Sequence, residues 1–336
     1  MDLNKIYEPI QNDLNKVEDK IKEVSQGNLS WLPSDLADGL HEASRVQELL
    51  THILASSGKR TRPALTLLAS RFYKPKPENL IAMATAIELF HIATLVHDDA
   101  IDNSALRRGR PTINSLWGDN GAILLGDYLF AKSGEMAIST GNRTVAKRLH
   151  QTLMTITSGE LAQAFNAFKL EESRKYYLHR ISSKTASLLS VSAECGAILS
   201  HAPQKAITAL RDYGFNIGIA FQVVDDILDY IGTTEEMGKP VGSDLREGTI
   251  TLPVLFLLER YPKEQSIYEV VKNRNRKQNT ERVKELIRNS PEIIRDCYQM
   301  ATDYSNRAIE KIDVLPDKPE RESLTELAYF LVERRR

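Results

Sequence analysis

Two acidic patterns in the 336-residue chain, DDAID and DDILD, each follow a long apolar run. Their six carboxylates belong to Asp98, Asp99, Asp102, Asp225, Asp226 and Asp229. Residues four apart share one face of a helix, so the first and last aspartates of each pattern form a patch of repelling charges. Folding does not require this cost, and a bound cation would offset it. One such pattern is equally typical of a solvated helix end, but two behind apolar runs favour a metal site.

Carboxylate oxygens without His or Cys ligands are typical of Mg²⁺, which proteins hold with a few carboxylates and substrate phosphates. The sequence therefore predicts a diphosphate ligand, whose remaining oxygens need Lys and Arg partners. The basic candidates, each of which alone would be an ordinary surface charge, are Lys59 and Arg62 in GKRTR, Arg107 and Arg108 in RRGRP, Lys184 beside Thr185, and Lys239 in GKP. His91 lies two helical turns before Asp98, where a core histidine is the usual alternative.

Metal ions and basic side chains around a diphosphate stabilise it as a leaving group. If the diphosphate is attached to an allylic carbon, its departure leaves a carbocation that must be kept from water, which requires an apolar pocket. The apolar runs ATAIELFHIATLV and GFNIGIAFQVV, which precede the two acidic patterns, are candidates for its lining. Most of these side chains are also what an ordinary helical core requires.

Apolar residues recur at steps of three and four along most of the chain, which predicts helices, and strand signals are almost absent. The predicted helices cover residues 3–25, 38–57, 78–102, 118–140, 144–168, 172–200, 204–231, 250–260, 280–289, 291–313 and 320–334. No Gly/Ser linker divides the chain, so we expect one all-α domain over residues 1–336. In it, residues 1–35 form an N-terminal packing helix, 36–261 a catalytic core and 262–336 a helical annex.

The bulk composition argues against several classes of protein. Lys and Arg number 44 against 45 Asp and Glu, and the net charge of −1 gives no reason to expect a nucleic-acid partner. Cys195 and Cys297 lack metal-ligand spacing and fit a reducing compartment, so we expect a cytoplasmic protein. The N-terminus has no apolar leader, and no uncharged apolar stretch reaches the roughly 18 residues of a spanning helix.

In order and spacing these motifs resemble the trans-isoprenyl diphosphate synthases, which elongate an allylic diphosphate with isopentenyl diphosphate. The resemblance covers residues 40–260 and rests on GKRTR, HIATLVHDDAIDNSALRRGRP, KT, and FQVVDDILD followed by GKPVGSDLREGTITLP. It implies the isoprenoid synthase fold, a single large helical bundle around a central prenyl cavity, and a homodimer. It also implies Mg²⁺ as the cofactor, with roughly three ions in each active site.

The resemblance implies a role for each matching residue. Isopentenyl diphosphate would be bound, without metal, by Lys59, Arg62, His91 and Arg108. Mg²⁺ would be bound by Asp98, Asp102 and Asp225, with support from Asp99, Asp226 and Asp229. The allylic diphosphate would also be bound by Arg107, Lys184, Thr185, Gln222 and Lys239. The implied catalytic residues are Asp98, Asp99, Asp102, Lys184, Asp225 and Asp226, with the departing diphosphate as the base.

One position departs from the family pattern. Thr249 follows GSDLREG where members of the family often carry a lysine, so a further diphosphate contact is missing there. Every metal motif is intact, and we expect the variation to be compatible with activity.

Residue size before the first acidic pattern predicts a long product. Thr94 and Ala93 lie four and five residues before Asp98, where members of the family that make short products tend to carry an aromatic residue. Both side chains are small, and the pattern lacks the two-residue insertion typical of bacterial short-chain enzymes. We expect an all-trans product of about C30–C50 for a quinone side chain, although Phe90 one turn lower could close the pocket.

Three alternatives remain open: a short-chain synthase (C15–C20), a class I terpene cyclase, and a non-catalytic subunit of a heteromeric synthase. The complete basic set and the second acidic pattern favour condensation over cyclisation. A non-catalytic subunit is expected to have lost aspartates or arginines, and none is lost here. The expected partners are isopentenyl diphosphate and an allylic diphosphate, either farnesyl or geranylgeranyl, and a membrane surface is contacted only for product release.

Overall fold

The computed structural model describes residues 2–26, 39–55, 58–169, 173–233, 241–272 and 274–333. Within these ranges the structure is almost entirely helical, which confirms the all-α prediction. The helices are α1 Leu3–Tyr7, α2 Gln11–Gln26, α3 Gly39–Leu54, α4 Thr61–Ser70, α5 Pro77–Ile101, α6 Ile113–Ser139, α7 Arg143–Asn166, α8 Arg174–Ile181, α9 Ser187–Leu199, α10 Gln204–Ile231, α11 Ser243–Arg246, α12 Leu252–Arg260, α13 Gln265–Val271, α14 Arg276–Arg288, α15 Pro291–Ile312 and α16 Pro319–Glu333. A 3₁₀ turn at Glu8–Ile10 joins α1 to α2, and a π-helical turn at Ser182–Ala186 joins α8 to α9.

The chain divides into two compact units. The amino unit consists of Tyr7–Leu149 and Cys195–Ala202, and the carboxyl unit of Met1–Ile6, His150–Glu194 and Pro203–Arg336. Helices α7 and α9 each run from one unit into the other, so a linker does not mark these two boundaries. The organisation as one domain over residues 1–336 stays a prediction.

In the amino unit, α2 is amphipathic and α5 is not. The buried side chains of α2 include Leu14, Val17 and Ile21, which recur at the three- and four-residue steps of one helical face. Helix α5 buries residues all around its circumference and packs against α2, α4 and α6. The Ser133 hydroxyl of α6 donates a hydrogen bond to the Ala86 carbonyl of α5 at 2.7 Å, which satisfies a buried polar group between the two helices.

Helix α5 is also the helix that carries the first acidic pattern. Among the described residues it is the helix that is long and apolar enough to cross a membrane by length and composition. Glu88 interrupts its apolar residues, so the helix contains no uncharged run of the length that a spanning helix needs. In the structure 67% of its most apolar 18-residue window is buried inside the protein, as expected for a core helix.

The core of the carboxyl unit is built around α10, the longest helix that the structure describes. Apolar side chains of α8, α12, α14 and α15 form one buried cluster with it. Three tyrosines are fully buried in this unit, and the Tyr213 hydroxyl donates to the Leu324 carbonyl at 2.5 Å. Gly218 of α10 brings its backbone close to the π-helical turn, since a Cβ there would lie 2.5 Å from the Cα of Ala186. Burial and close backbone contact therefore fix α10 within its unit.

Most predicted helices are present within a few residues of their expected ends, and 204–231 has the same ends in the structure. Three helices were missed: α4, α11 and α13. Helix α4 carries Pro63 in its first turn, where the missing N–H has no helical partner to lose. The predicted helix 172–200 is divided by the π-helical turn, and 118–140 begins instead at Ile113, with a non-helical Gly118.

A two-stranded antiparallel hairpin follows α5. Strands β1 (Leu106–Arg107) and β2 (Arg110–Pro111) are joined by Arg108 and Gly109, whose φ angles are 53° and 74°. Positive φ at both central residues is the geometry of a tight two-residue hairpin turn. This hairpin was not predicted, because Arg-Gly is not among the turn pairs that usually indicate one.

Candidate functional site

The first acidic pattern lies where α5 ends. Asp98 and Asp102 are one turn apart, and the Asp102 N–H donates to the Asp98 carbonyl at 2.8 Å. Asp98 is half-buried and Asp102 is exposed, whereas Asp99 is buried. The outer two carboxylates of the pattern are thus the ones that water and ligands can reach.

The buried carboxylate of Asp99 forms an ion pair with Arg107. The Arg107 Nε lies 2.8 Å from both carboxylate oxygens of Asp99, and its Nη2 lies 2.8 Å from Oδ1. Burial raises the pKa of Asp99, and the opposing charge of Arg107 offsets part of this effect. In this arrangement the carboxylate of Asp99 is occupied by Arg107 and orients its guanidinium.

The hairpin places its arginines in different surroundings. Arg107 is held by Asp99, whereas the Arg110 Nη2 lies 3.2 Å from the Nδ1 of His52 on α3. The Nε2 of His52 lies 2.8 Å from the Pro111 carbonyl, so His52 connects α3 to β2. Arg108, at the turn, is an exposed residue. Three arginines within four residues therefore have three different roles in the structure.

A basic cluster surrounds His91 on α5. Burial lowers the pKa of His91 well below its usual value, and the positive charges of Arg62, Arg108, Arg107 and Arg60 lower it further. The imidazole is therefore neutral near pH 7 and donates or accepts one hydrogen bond at each nitrogen. These side chains come from three elements, the start of α4, the middle of α5 and the hairpin. The structure thus brings together Arg62, His91 and Arg108, which the sequence assigned to one diphosphate.

Gly58, the glycine of GKRTR, allows the backbone to pack closely against the basic cluster. A Cβ on Gly58 would lie 3.1 Å from the Nη1 of Arg108, so the segment before Lys59 packs directly against that guanidinium. Burial lowers the pKa of Arg108, and repulsion from Arg107 adds to the effect. Like charges held this close are costly, and a polyanion would relieve the cost. The cluster has the properties of a diphosphate site that needs no metal.

The second acidic pattern lies on α10 in the carboxyl unit. Asp225 is half-buried, and Asp226 and Asp229 are buried. The Asp226 carboxylate accepts hydrogen bonds from the Tyr177 hydroxyl and the Gln222 amide, each at 2.8 Å. Asp229 lies 3.3 Å from the Ser243 hydroxyl, so its carboxylate faces α11. The accessible carboxylate of this pattern is therefore that of Asp225.

Burial raises the pKa of Asp226 to about 7, and the negative charge of Asp244 raises it as well. The hydrogen bonds from Gln222 and Tyr177 and the positive charge of Arg180 only partly counteract this shift. The ionised carboxylate is thus disfavoured in this position unless a cation binds nearby.

The π-helical turn carries Lys184 and Thr185. The Thr185 hydroxyl donates to the Oε1 of Gln222 at 2.6 Å, and the Gln222 amide in turn donates to Asp226. The Nζ of Lys184 lies 2.7 Å from the Oε1 of Glu160 on α7. A π-helical turn is rare and frequently found at functional sites, and here it brings the predicted Lys-Thr pair to the acidic helix.

Several side chains of this arrangement were not found from the sequence. Glu160 contacts Lys184 across 24 positions of the chain, and Tyr177 contacts Asp226 across 49. Neither belongs to a motif, so the sequence offered no signal for them. Lys239 lies outside the described residues. The N–H of Thr249 donates to the Asp244 carbonyl at 2.8 Å, so this departure from the family pattern lies in the loop after α11.

The carboxylates fit a Mg²⁺ ion whose coordination shell is completed by water and phosphate oxygens. Among the described residues, no group of three or more His, Cys, Asp or Glu side chains is arranged to hold a metal by itself. Asp98 and Asp225 are half-buried and Asp102 is exposed, whereas the other three aspartates of the patterns are buried. Mg²⁺ usually takes one or two carboxylates and completes its shell with water and phosphate oxygens, which is what these residues can offer.

Comparison with known proteins identifies the family. The polyprenyl synthetase family model matches residues 43–290. The chain is 35% identical to heptaprenyl diphosphate synthase component 2 of Geobacillus stearothermophilus over 334 residues, 99% of each chain. The chain belongs to the polyprenyl synthetase family. It is also 33% identical to octaprenyl diphosphate synthase of Escherichia coli, with 95% of this chain and 99% of that protein covered.

Solved structures agree with this assignment. The crystal structure of heptaprenyl diphosphate synthase from Staphylococcus aureus superimposes with a TM-score of 0.87 at 33% identity, with 100% of this chain and 99% of that chain covered. The expected isoprenoid synthase fold is thus confirmed, and this polyprenyl synthetase is a prenyltransferase of isoprenoid biosynthesis.

We expect the substitution Arg108→Ala to weaken the binding of inorganic diphosphate to the metal-free protein by tenfold or more, because charge-assisted hydrogen bonds are lost. Isothermal titration calorimetry in EDTA measures this affinity. Arg110→Ala, on the same hairpin but turned to His52, serves as the control and should leave the affinity within about twofold, as expected for a side chain outside the cluster. Equal losses in both variants would contradict the assignment of Arg108 to the basic cluster.

We expect Asp226→Asn to stabilise the metal-free protein above neutral pH. Because the native pKa of Asp226 lies above the unfolded value, its contribution to stability is complete below the unfolded pKa and is lost as the pH rises through about 7. At pH 8 the variant should gain about 1–4 kcal/mol in free energy of unfolding. Urea denaturation in EDTA between pH 5 and 8.5 measures this.

The control for this measurement is Asp212→Asn, a half-buried aspartate on the same helix whose carboxylate pairs with Arg211. It should change the free energy of unfolding by about 0.5 kcal/mol or less. Parallel pH profiles for the wild type and Asp226→Asn would show that the buried carboxyl does not titrate as described.

Proposed function

We propose that this polyprenyl synthetase is a Mg²⁺-dependent trans-polyprenyl diphosphate synthase of the cytoplasm that condenses an allylic diphosphate with isopentenyl diphosphate. Farnesyl or geranylgeranyl diphosphate is the proposed allylic primer. The observation that carries the proposal is the basic cluster around His91, where guanidinium groups from α4 and the hairpin crowd a neutral imidazole. A terpene cyclase needs no second diphosphate site, so this basic cluster favours condensation over cyclisation.

Isopentenyl diphosphate is bound by the basic cluster. Arg62 and Arg108 offer planar forks for phosphate oxygens, and Lys59 adds an exposed point charge next to Gly58. His91 is neutral and donates one hydrogen bond. Because all four are positive or neutral donors, the diphosphate is held without a cation.

The allylic diphosphate is bound through the acidic patterns and their neighbours. Mg²⁺, when bound by Asp98, Asp102 and Asp225, supplies positive charge that stabilises the leaving diphosphate. The remaining proposed contacts, taken from the matching motif positions, are Arg107, Lys184, Thr185, Gln222 and Lys239. Asp99 holds Arg107 in place, so this donor is oriented before the substrate arrives. The Thr185 hydroxyl donates to Gln222, which keeps its oxygen beside the acidic helix.

The proposed reaction breaks the C1–O bond of the allylic diphosphate, whose electron pair leaves with the diphosphate. The double bond of isopentenyl diphosphate attacks the allylic C1, and loss of one proton to the departing diphosphate forms the new double bond. The catalytic residues proposed for these steps are Asp98, Asp102, Lys184 and Asp225, with Asp99 and Asp226 as positioning residues.

We propose a long product, about C30–C50, for a quinone side chain. Ala93 is fully buried and Thr94 is half-buried, with its hydroxyl turned back to the His91 carbonyl at 2.7 Å. Both side chains are smaller than the aromatic residue that would narrow a path for the prenyl chain along α5. Deeper along the helix, Phe90 packs edge to face on Phe130 of α6 with ring centroids 5.1 Å apart, and this pair is the proposed floor.

We expect Ala93→Tyr and Thr94→Tyr to shorten the product by at least one five-carbon unit, because each phenol ring occupies space beside α5. Phe90→Ala should lengthen it by opening the floor. Ala82→Tyr, a half-buried position three turns earlier on α5, is the control and should leave the product distribution unchanged. Thin-layer analysis of the dephosphorylated products measures chain length. Unchanged length in all three pocket variants would contradict the proposed pocket.

The proposed assembly is a homodimer. Large apolar side chains of α6 are exposed, among them Leu124 and Ile138, which are 67% and 64% exposed, and a second copy would cover them. The Geobacillus relative is named component 2 of its synthase, which favours as a second possibility that this chain works with a different partner subunit. Light scattering of the purified chain at micromolar concentration distinguishes a dimer from a monomer.

An assay of the purified chain alone tests the proposed function. With Mg²⁺, farnesyl diphosphate and labelled isopentenyl diphosphate, we expect the label to enter long prenyl products. Incorporation only after a partner subunit is added would favour the heteromeric synthase. Release of diphosphate from the allylic substrate without isopentenyl diphosphate would favour a cyclase and overturn the proposal.

A further inference from the structure

The motif GKRTR contains three basic residues, and the middle one, Arg60, forms ion pairs within the protein. All three guanidinium nitrogens of Arg60 contact carboxylates. Its Nε lies 2.5 Å from Oε1 of Glu18, its Nη2 lies 3.1 Å from Oε2 of Glu18, and its Nη1 lies 2.7 Å from Oε1 of Glu88. Glu18 belongs to α2 and Glu88 to α5, so Arg60 joins the start of α4 to both helices.

This ion-pair network is largely removed from water. The side chain of Arg60 is 11% exposed and that of Glu88 is 6% exposed, whereas that of Glu18 is 47% exposed. Burial works against the charge of Arg60, but its hydrogen bonds and ion pairs with Glu18 and Glu88 raise its pKa above the usual value. A guanidinium committed to two carboxylates in this way offers no fork to a substrate phosphate.

The backbone at Arg60 is unusual as well. Its φ and ψ angles are 48° and 33°, in the left-handed region that residues other than glycine rarely adopt. Arg60 immediately precedes α4 as its N-cap, and its carbonyl accepts the Ala64 N–H at 2.9 Å. The turn at Arg60 therefore sets the directions in which Lys59, before it, and Arg62, after it, leave the backbone. Side-chain contacts to two other helices hold that turn in place.

We propose that Arg60 is a positioning residue that, held by Glu18 and Glu88, fixes the turn presenting Lys59 and Arg62 to isopentenyl diphosphate. The inference rests on the proposed function of the basic cluster. It makes helix α2 part of the isopentenyl diphosphate site, although no residue of α2 belongs to a motif. It also assigns a role to the buried carboxylate of Glu88, which is to hold Arg60.

Glu88 has a second effect through its charge. It lies three residues before His91 on α5, and its negative charge raises the pKa of Arg108 while Arg107 and Arg60 lower it. Glu88 thus offsets part of the repulsion within the basic cluster when no substrate is bound. Its loss affects both the position and the charge balance of the site.

A second ion pair between the same helices provides a matched control. Arg71, the C-cap of α4, pairs with Asp13 of α2. This pair ties the far end of α4 to α2 without contacting GKRTR. Removing it tests whether loosening α2 alone impairs the site.

The experiment compares wild type, Glu18→Gln, Glu88→Gln and Asp13→Asn in steady-state kinetics with both substrates varied. Glu18→Gln should raise the KM for isopentenyl diphosphate about two- to fivefold, as expected for a partly exposed ion pair. Glu88→Gln should raise it tenfold or more, because a buried partner is lost. The KM for the allylic diphosphate should change less than twofold in both, and Asp13→Asn should leave both KM values unchanged. The Kd of isopentenyl diphosphate in EDTA should follow its KM.

The outcomes separate the inference from the proposed function. If the wild type incorporates isopentenyl diphosphate but Glu18→Gln has an unchanged KM for it, the inference is overturned. An equal rise in Asp13→Asn overturns it too, because general docking of α2 would then explain the effect. Should Glu88→Gln fail to fold, Glu18→Gln against Asp13→Asn decides the question. A wild type without any incorporation overturns the proposed function, and the inference with it.

Discussion

Repulsion between like charges is the constraint on which the amino unit depends. Arg62, Arg107 and Arg108 lie close enough to His91 to lower the pKa of its imidazole, and Arg107 lowers that of Arg108. Such a cluster is unfavourable in water without an anion, and the fold must hold it together before the substrate arrives. Asp99 does so by binding Arg107. The tight turn of the hairpin and the absent side chain of Gly58 give Arg108 its place.

In the carboxyl unit the crowded charges are negative, and contacts within the protein hold them in place as well. On α10 the buried carboxylate of Asp226 is held by Tyr177 and Gln222, while Asp225 next to it remains accessible. The amino unit repeats this division, with Asp99 buried and Asp98 half-buried. In both patterns, adjacent aspartates therefore differ in role: one orients neighbouring side chains and the other can meet a ligand. The raised pKa of Asp226 shows the energetic cost of this order without a cation.

The sequence predicted the parts of the fold and site that depend on local periodicity and on motifs. Helix α10 has the expected ends because its apolar residues keep a helical repeat over 28 residues. The hairpin was missed because its turn uses Arg108 in a left-handed conformation, for which composition gives no signal. The motif positions Arg62, His91 and Arg108 were found, but Glu88 and Glu18 were not, because their pairs with Arg60 join residues 28 and 42 positions apart. Contacts between residues this far apart in the sequence depend on how the helices pack, and no local sequence pattern indicates them.

The most direct test of the central claim is the metal dependence of each substrate's binding, measured by calorimetry on the wild type with a non-reacting thiolo analogue of farnesyl diphosphate and with isopentenyl diphosphate. The basic cluster predicts that isopentenyl diphosphate binds in EDTA with nearly the affinity that it has in Mg²⁺. The accessible carboxylates predict that the allylic analogue binds only when Mg²⁺ is present. If isopentenyl diphosphate required Mg²⁺ to bind, or the allylic analogue bound equally well in EDTA, the division between a basic site and a metal site would be contradicted.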